Sequence, residues 1–459
     1  MKIFNKEFSK IGEAAIVLAF FTLLSQFLGI FRDRFLAGNI GTGELLDIYY
    51  AAFRVPDLLF TLGASLVSVS ILMPYFSKKL QKSKIEAKKF INDVFTTFFV
   101  FIIAISIFCF ILMPSLVKML FPGFSEELII QTIQLSRIML LSPILLGISN
   151  LFATITQAFK KFFVYALAPV FYNLGIILGI VFLYPLFGIN GLAYGVALGA
   201  LLHMLIQLPV IVRQGFIPKI SFSIIWENIR EVIIHSLPRT ITLSLSKIVF
   251  LIFISIASTL VTGTISVFNL SYNLQSVPLA IIGVSYSVAA FPILVDYFNT
   301  QNYKKFMSHV MGPIRQIVFW SLPVIALFVV LRAQIVRVIL GTGNFDLSDT
   351  RLTAASLALF IISVVAQSIV LLLIRAYYAS GKTWKPLWIT LSSAFFTVIF
   401  AYLFLYLFNT YEPIQLFFEK ILRIQNVPGS SVVMLSLAYS VGMFLNLYLL
   451  WKSFKRDFK

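Results

Sequence analysis

"FFVFIIAISIFCFILM", Phe98–Met113, runs without a charge, a proline or a glycine. Within a lightly charged stretch of about 18–25 residues, such a run as a helix crosses the roughly 30 Å hydrocarbon core of a bilayer. In lipid every backbone polar group must be satisfied internally, which leaves helices or a closed barrel. A barrel strand alternates apolar and polar residues with period two; this run is continuous, and so reads as helix. Similar runs recur at Leu174–Tyr184, Val249–Ala257 and Ala394–Phe408. The 459-residue chain is 59% hydrophobic, against about 45–50% for soluble domains. Twelve spans are expected, near 12–31, 44–76, 90–117, 128–157, 162–184, 188–211, 228–257, 264–294, 311–333, 350–378, 386–408 and 430–452. The fold class is an all-α integral membrane protein.

The net charge of +18 follows this topology. "KKLQKSKIEAKK" (Lys78–Lys89) falls between the second and third spans, Lys160 and Lys161 between the fourth and fifth, and Arg213 and Lys219 between the sixth and seventh. Lys304, Lys305, Lys382 and Lys385 fall in later alternate loops, and the chain ends "WKSFKRDFK". Basic residues on alternate loops mark the cytoplasmic side, which puts both termini there and removes nucleic acid as the reason for the charge. The exception is Leu331–Arg351, with Arg332, Arg337 and Arg351 on the outer side; it is expected to lie at the interface as an amphipathic segment. Lys2, Lys6 and Lys10 precede an apolar run with no small-residue cleavage site, which reads as a retained first helix. The single Cys109 excludes an intramolecular disulfide.

An internal repeat is visible. Pro74 in "SVSILMPYFSKK" and Pro292 in "SVAAFPILVDYF" are 218 apart, as are Gln157 and Arg375; Lys118 and Arg337 are 219 apart, and Pro56 and Pro278 are 222 apart. An offset of six helices keeps the orientation of the halves and predicts two six-helix lobes, 1–222 and 223–459, around a central cavity.

Charge at membrane depth concentrates in "GIFRDRFLAGNIGTGELLDIYYAAFRVPDLLF", Gly29–Phe60. On one continuous helix Asp47 and Arg54, seven apart, would share a face, and Pro56 would kink the helix beside Arg54. Arg239 and Lys247 lie eight apart on the seventh span, and Asn273 and Gln275 precede Pro278 on the eighth. Gln26, Asn150, Asn173, His203 and Gln367 add polar groups. Each also has a plainer reading: arginines reaching headgroups from a helix end, Asp47 and Arg54 as partners, and Asn, Gln and His203 joining helices. His203 has no second metal ligand at a fitting spacing. A charge in lipid costs about 2.5–3.5 kcal/mol on insertion scales, so several cations with few anions imply a watered cavity and an anionic solute. Arginine's planar fork suits phosphate.

"LLSQFLGIFRDRFLAGNIGTGELLDIYYAAFRVPDLL" (Leu23–Leu59) resembles the first two helices of the MurJ/MviN family, lipid II flippases of the multidrug/oligosaccharidyl-lipid/polysaccharide (MOP) exporter superfamily. The shared pattern is S-x-x-L-G-x-x-R-D, a Gly-containing turn, then D-x-[FY]-x-x-A-F-[KR]-x-P. "NLQSVPLAIIGVSYSVAAFPIL" resembles the family's eighth helix and "RAYYASGKTWKPL" its tenth-to-eleventh junction. The resemblance implies a MATE-like arrangement in the bacterial cytoplasmic membrane and a cargo of undecaprenyl-pyrophosphate-linked disaccharide-pentapeptide. Arg32, Asp33, Asp47 and Arg54 match polar motif positions. The chain departs from the family at Gln26, where Arg is frequent, at Phe60 and Thr61, where basic residues are frequent, and at Asn273, where the family has an Arg. Many members carry two more helices that form a groove for the lipid tail; the twelve spans include no counterpart.

The expected function is therefore outward flipping of a lipid-linked peptidoglycan precursor by alternating access, with no covalent chemistry and no catalytic residue, metal or cofactor. Any coupling would come from the membrane potential or a monovalent ion. Arg32, Arg54, Arg239 and Lys247, with Gln26 and Asn273, would hold the pyrophosphate. Asp33 and Asp47 would hold the Arg side chains as salt bridges that switch partners, and Gly29, Gly38, Gly41, Gly43, Pro56 and Pro278 would allow bends. Partners would be the lipid-linked anionic glycan, membrane lipids and cell-wall synthesis enzymes, without nucleic acid. Rival readings are another MOP exporter, for lipid-linked polysaccharide or cation-coupled for drugs, and a non-transporting scaffold for cell-wall enzymes.

Overall fold

The apolar runs become helices, and no strand forms among the described residues. The computed structural model describes residues 11–458, leaving out the side chains of 11–16, 64–66, 70, 228, 235, 238, 239, 242 and 243. The chain begins with α1 (Ile11–Ile40), α2 (Glu44–Ala52), α3 (Arg54–Leu66), α4 (Val69–Lys82) and α5 (Lys84–Leu120). It continues through α6 (Glu126–Met139), α7 (Leu141–Ala158), α8 (Phe162–Leu178), α9 (Tyr184–Phe187), α10 (Ile189–Leu205) and α11 (Leu208–Gln214). Then come α12 (Trp226–Ser258), α13 (Thr264–Pro278), α14 (Ser285–Asn299), α15 (Tyr303–Val330) and α16 (Arg332–Leu340). The last are α17 (Leu347–Ile362), α18 (Val364–Ala379), α19 (Trp384–Thr410), α20 (Glu412–Leu422) and α21 (Val432–Asp457).

Among the described residues eight helical stretches are long and apolar enough to cross a bilayer, nine counting α17 and α18, which meet at a 42° bend. Three of the twelve expected spans fall outside this set. The first, α1, has side chains outside the description at its start. The second, 44–76, is broken into α2, α3 and α4. In the seventh, the apolar part counted is only Ser244–Ser258. The chain is a multi-pass membrane protein, and α5 shows why. Ile102, Met113 and Val117 on one face are buried while Val100, Ile107, Phe108 and Ile111 are exposed, an apolar outer surface that suits lipid and not water.

The chain forms two compact units: residues up to Leu36 with Ile48–Lys247, and Ala37–Asp47 with Ile248–Lys459. Their division falls within α12, whereas the sequence reading puts a lobe boundary at 222. In the first unit α8 packs on α10 through glycines. Gly175 faces Gly199 and Gly179 faces Gly195, and a Cβ added at Gly195 would lie 2.6 Å from Gly179 Cα. Small residues at four-residue spacing let membrane helices approach closely. Gly195→Val is expected to destabilise the protein by about 1–3 kcal/mol through overpacking, read as earlier thermal unfolding in detergent. Gly29→Ala, whose added Cβ would have its nearest neighbour at 4.0 Å, should leave it unchanged.

Proline leaves the carbonyl four residues earlier without its helical N–H partner, and this unit satisfies two such carbonyls from other helices. Ser136 Oγ donates to Ala52 O (3.2 Å), four before Pro56. Arg137 Nε donates to Phe110 O (3.1 Å), four before Pro114. The loop 215–225 is held to α5: Lys219 N donates to Asn92 Oδ1 (2.9 Å), Ser221 N to Thr96 Oγ1 (2.8 Å) and Ile225 N to Asp93 Oδ2 (3.3 Å).

The second unit repeats the helix ends of the first. Ser83 caps α5 through Glu86 N and Asn302 caps α15 through Lys305 N, an offset of 219 (302 − 83). Ser125 caps α6 and Asp346 caps α17, an offset of 221 (346 − 125). The turns closing α7 and α18 share a six-residue hydrogen bond, Lys161 N to Thr156 O and Lys382 N to Tyr377 O, also 221 apart (382 − 161). The partner of Gln157 in the repeat is thus Tyr378 rather than Arg375, a shift of nearly one helical turn.

Candidate functional site

The polar cluster of the first unit starts on α1. Arg32 donates Nε and Nη2 to Asp33 Oδ1 (3.0 and 2.9 Å) and Nη1 to Asn173 Oδ1 (3.3 Å) on α8. Asn173 Nδ2 donates in turn to Ser25 Oγ, Ser25 O and Pro169 O. Ser25 and Arg32 are seven apart and share a helix face, so Asn173 spans two turns of α1 and fixes the guanidinium from behind. The Asp33 side chain is 7% exposed and that of Arg32 24%. A buried carboxylate of this kind needs a cation or donors beside it, and Arg32 supplies both.

The second node is the broken helix. The interruption at Phe53 separates α2 from α3, and Arg54 Nε turns back to donate to Tyr50 O (2.9 Å). Pro56 therefore sits just past a one-residue interruption across which helical hydrogen bonds continue, Phe53 N to Tyr49 O and Asp57 N to Phe53 O, and Pro278 directly precedes a π-helical segment, Leu279–Val284. At the third node Lys247 Nζ on α12 meets Asp57 Oδ2 on α3 at 2.7 Å, with side chains 45% and 27% exposed. Tyr49 lies within electrostatic reach of Arg32, Asp33, Arg54 and Tyr172, and Tyr172 of Arg32 and Asp57. Arg32, Arg54 and Lys247 with Asp33, Asp57 and the tyrosines thus form one neighbourhood carrying three cations and two acids. Two of the cations already hold carboxylates. The pair exposed enough to exchange is Lys247–Asp57, worth about 0–1 kcal/mol as a solvated bridge. Lys247→Ala is accordingly expected to leave membrane level and thermal stability near wild type while lowering transport. Transport at the wild-type rate in the same cells would remove Lys247 from the site.

Several expected roles change. Asp47 is engaged at the start of α13 rather than as the holder of an arginine. Its carboxylate instead accepts from Gly263 N and Ser266 N (2.7 Å each) and from Ser266 Oγ. Asp47 is buried and caps α13, inside the second unit. Gly38 and Gly41 are docking positions in that unit: Asn344 N donates to Gly38 O (2.9 Å), and a Cβ on Gly38 would lie 2.4 Å from Thr342 Oγ1. Gly41 has φ +79, which an L side chain rarely adopts. An added Cβ at Gly43 meets nothing within 4 Å. Gln26, six residues before Arg32, points about 120° away from it around the helix and is half-buried. Asn273 lies half-buried on α13 in the second unit, its backbone carbonyl accepting from Ser276 Oγ. The side chain of Arg239 lies outside the described residues. His203 packs through Ser149, with Ser149 Oγ 2.7 Å from His203 Nδ1, a helix-joining contact.

Sequence reasoning gave no role to Asp57, Tyr49, Tyr50 or Tyr172, and read Asn173 only as a joining residue. The available signal was the motif itself: Asp57 lies three residues, nearly one turn, after Arg54.

Apolar crossing helices that carry a cation-rich polar cluster suit a membrane transporter, and the fold is that of the MOP exporters. An inward-facing multidrug resistance MATE family transporter of the MOP superfamily superimposes with a TM-score of 0.73 at 16% identity, covering 96% of this chain and 98% of that one. The chain belongs to the lipid II flippase MurJ family: the family model described as "Lipid II flippase MurJ" matches residues 36–459. A probable lipid II flippase MurJ of Rhizobium tropici is 27% identical over 392 residues, 83% of this chain and 72% of the relative. The lipid II flippase MurJ of Burkholderia cenocepacia is 23% identical over 400 residues, 85% of this chain and 78% of that protein. A lipid II flippase MurJ solved in an inward closed conformation has a TM-score of 0.77 at 24% identity, covering 96% of this chain and 89% of that one.

Proposed function

We infer that this chain flips lipid II, the undecaprenyl-pyrophosphate-linked disaccharide-pentapeptide, from the inner to the outer leaflet of the bacterial cytoplasmic membrane for peptidoglycan synthesis. It is a transporter and catalyses no covalent step. Family membership supports the cargo, and the observation in this chain that carries the reading is the cluster of Arg32, Arg54 and Lys247 against Asp33 and Asp57. A pyrophosphate entering this neighbourhood competes with the carboxylates for the cations. Lys247 is the first to exchange, because its bridge is the more solvated. Arg32, held by Asp33 and Asn173, keeps its fork oriented. The cargo shifts the balance between inward-open and outward-open packings only insofar as it binds them differently, and a change of ion-pair partner supplies such a difference. Both termini lie in the cytoplasm, two six-helix lobes alternate access, and the membrane potential or a monovalent ion drives the cycle.

Depletion and rescue test this. In a bacterium whose own lipid II flippase can be switched off, the wild-type chain should sustain growth. Well-inserted wild-type chain that fails to do so would move the cargo to another lipid-linked glycan.

A further inference from the structure

Three arginines on the side expected to be poor in positive charge converge on one helix end. Arg423, with φ 60, caps α20 in the left-handed region. Arg332 Nη2 donates to Leu422 O (3.3 Å). Arg351 donates Nε and Nη2 to Arg423 O (2.9 and 2.7 Å) and Nη2 to Gln425 O (3.4 Å). Two guanidinium groups therefore sit on consecutive carbonyls. The Arg423 side chain is exposed, and it and Arg332 repel each other. Among the described residues no carboxylate forms an ion pair with any of the three. Glu419, one turn back, is buried and accepts from Gln415 Nε2 (2.9 Å) and Ser430 Oγ (2.8 Å). These contacts place Arg332 and Arg351 as caps of a helix C-terminus, where cations are favoured, and among the described residues none of the three arginines has a carboxylate as ion-pair partner.

The other half of α20 covers an apolar cavity of about 470 Å³. Phe404 and Leu407 of α19, Ile414 and Phe417 of α20, and Met434 and Leu437 of α21 line it. Leu416, Phe417 and Ile421 are also exposed on α20, as on a helix lying in a membrane interface. About 12 Å of helix separates Ile414 from Leu422, so a molecule with a phosphate at one end and hydrocarbon at the other can reach both features.

We propose that the arginine-capped end of α20 and the cavity beside it bind one anionic phospholipid of the surrounding leaflet, its phosphate at Arg351 and Arg423 and one acyl chain between α19, α20 and α21. Charge complementarity selects the occupant: a zwitterionic lipid offers the same chain without the net negative charge that the three arginines attract. The site lies wholly in the second unit and does not depend on the identity of the cargo.

The test uses the full chain in phosphatidylcholine vesicles, with a trace of phosphatidylglycerol or phosphatidylcholine carrying a photoactivatable diazirine on its acyl chain. Labelled peptides are mapped by mass spectrometry. A basic residue near anionic lipid contributes a factor of roughly five in binding. The phosphatidylglycerol probe should thus label residues 404–437 at least about fivefold more than the phosphatidylcholine probe. Arg423→Gln, whose side chain makes no hydrogen bond among the described residues, should lower the ratio by about fivefold. Ile414→Trp, which fills the cavity, should reduce labelling by both probes. Equal labelling by the two lipids in the wild type, or undiminished labelling of Ile414→Trp, would overturn the site. Displacement of the probe by equimolar undecaprenyl pyrophosphate would also overturn it, by assigning the cavity to a carrier-lipid tail.

Discussion

Arg32→Ala is expected to abolish rescue of a flippase-depleted cell and to lower stability together. The substitution leaves Asp33, 7% exposed, without the guanidinium that donates twice to it, and takes the Nη1 donor from Asn173. Removing one partner of a buried ion pair costs about 3–5 kcal/mol; partial exposure of Arg32 puts the loss near the lower end. The two consequences separate in the double variant. Arg32→Ala with Asp33→Asn leaves no buried charge and should recover most of the thermal stability and membrane level, yet still fail to rescue. Rescue by the double variant would make Arg32 a structural residue only. Arg32→Lys keeps the charge without the planar fork and should fall between wild type and Ala.

Asp47→Ala carries the second large effect, and for another reason. Two backbone N–H groups and a hydroxyl at the start of α13 lose their acceptor in a buried setting. Helix caps are worth about 0.5–2 kcal/mol, and buried donors left unsatisfied push this one to the upper end. Asp47→Ala should therefore lower thermal stability in detergent by about 2 kcal/mol and reduce the amount of protein in the membrane. Asp47→Asn keeps one acceptor oxygen and should recover part of both. An Asn variant as stable as wild type but inactive would show that the charge of Asp47 acts in transport, and would restore the salt-bridge role suggested by its seven-residue spacing from Arg54.

The membrane fold was legible because lipid imposes one requirement everywhere: continuous apolar helices. Phe98–Met113 announces this without its neighbours. The break of α2 from α3 was partly legible, since Pro56 marks it. The partner of Asp47 was not. A face argument over Asp47 and Arg54 looks only along one helix, whereas the Asp47 carboxylate is taken up by Gly263 and Ser266, more than two hundred residues away. The glycines of Gly175–Gly179 and Gly191–Gly195–Gly199 stood in plain four-residue spacing and went unread. Lys247 with Asp57, and Asp47 with Gly263, are pairings across about two hundred residues, and a single sequence holds no local signal for them. Arg332, Arg337 and Arg351 were an anomaly of the charge distribution read from the sequence, and three carbonyls at the end of α20 explain two of them. Arg32, Asp33, Arg54 and Lys247 could thus be singled out from the sequence, while their partners came from the tertiary structure.

The most direct test of the central claim measures where lipid II lies. Cells depleted of their own flippase and expressing this chain are treated with an externally added enzyme that cleaves lipid II, and the cleaved product is quantified. The account predicts cleavage with the wild-type chain and only background cleavage with Arg32→Ala/Asp33→Asn at equal membrane level. Background cleavage with well-inserted wild type would contradict lipid II as the cargo, and wild-type cleavage by the double variant would contradict the cation cluster as its binding site.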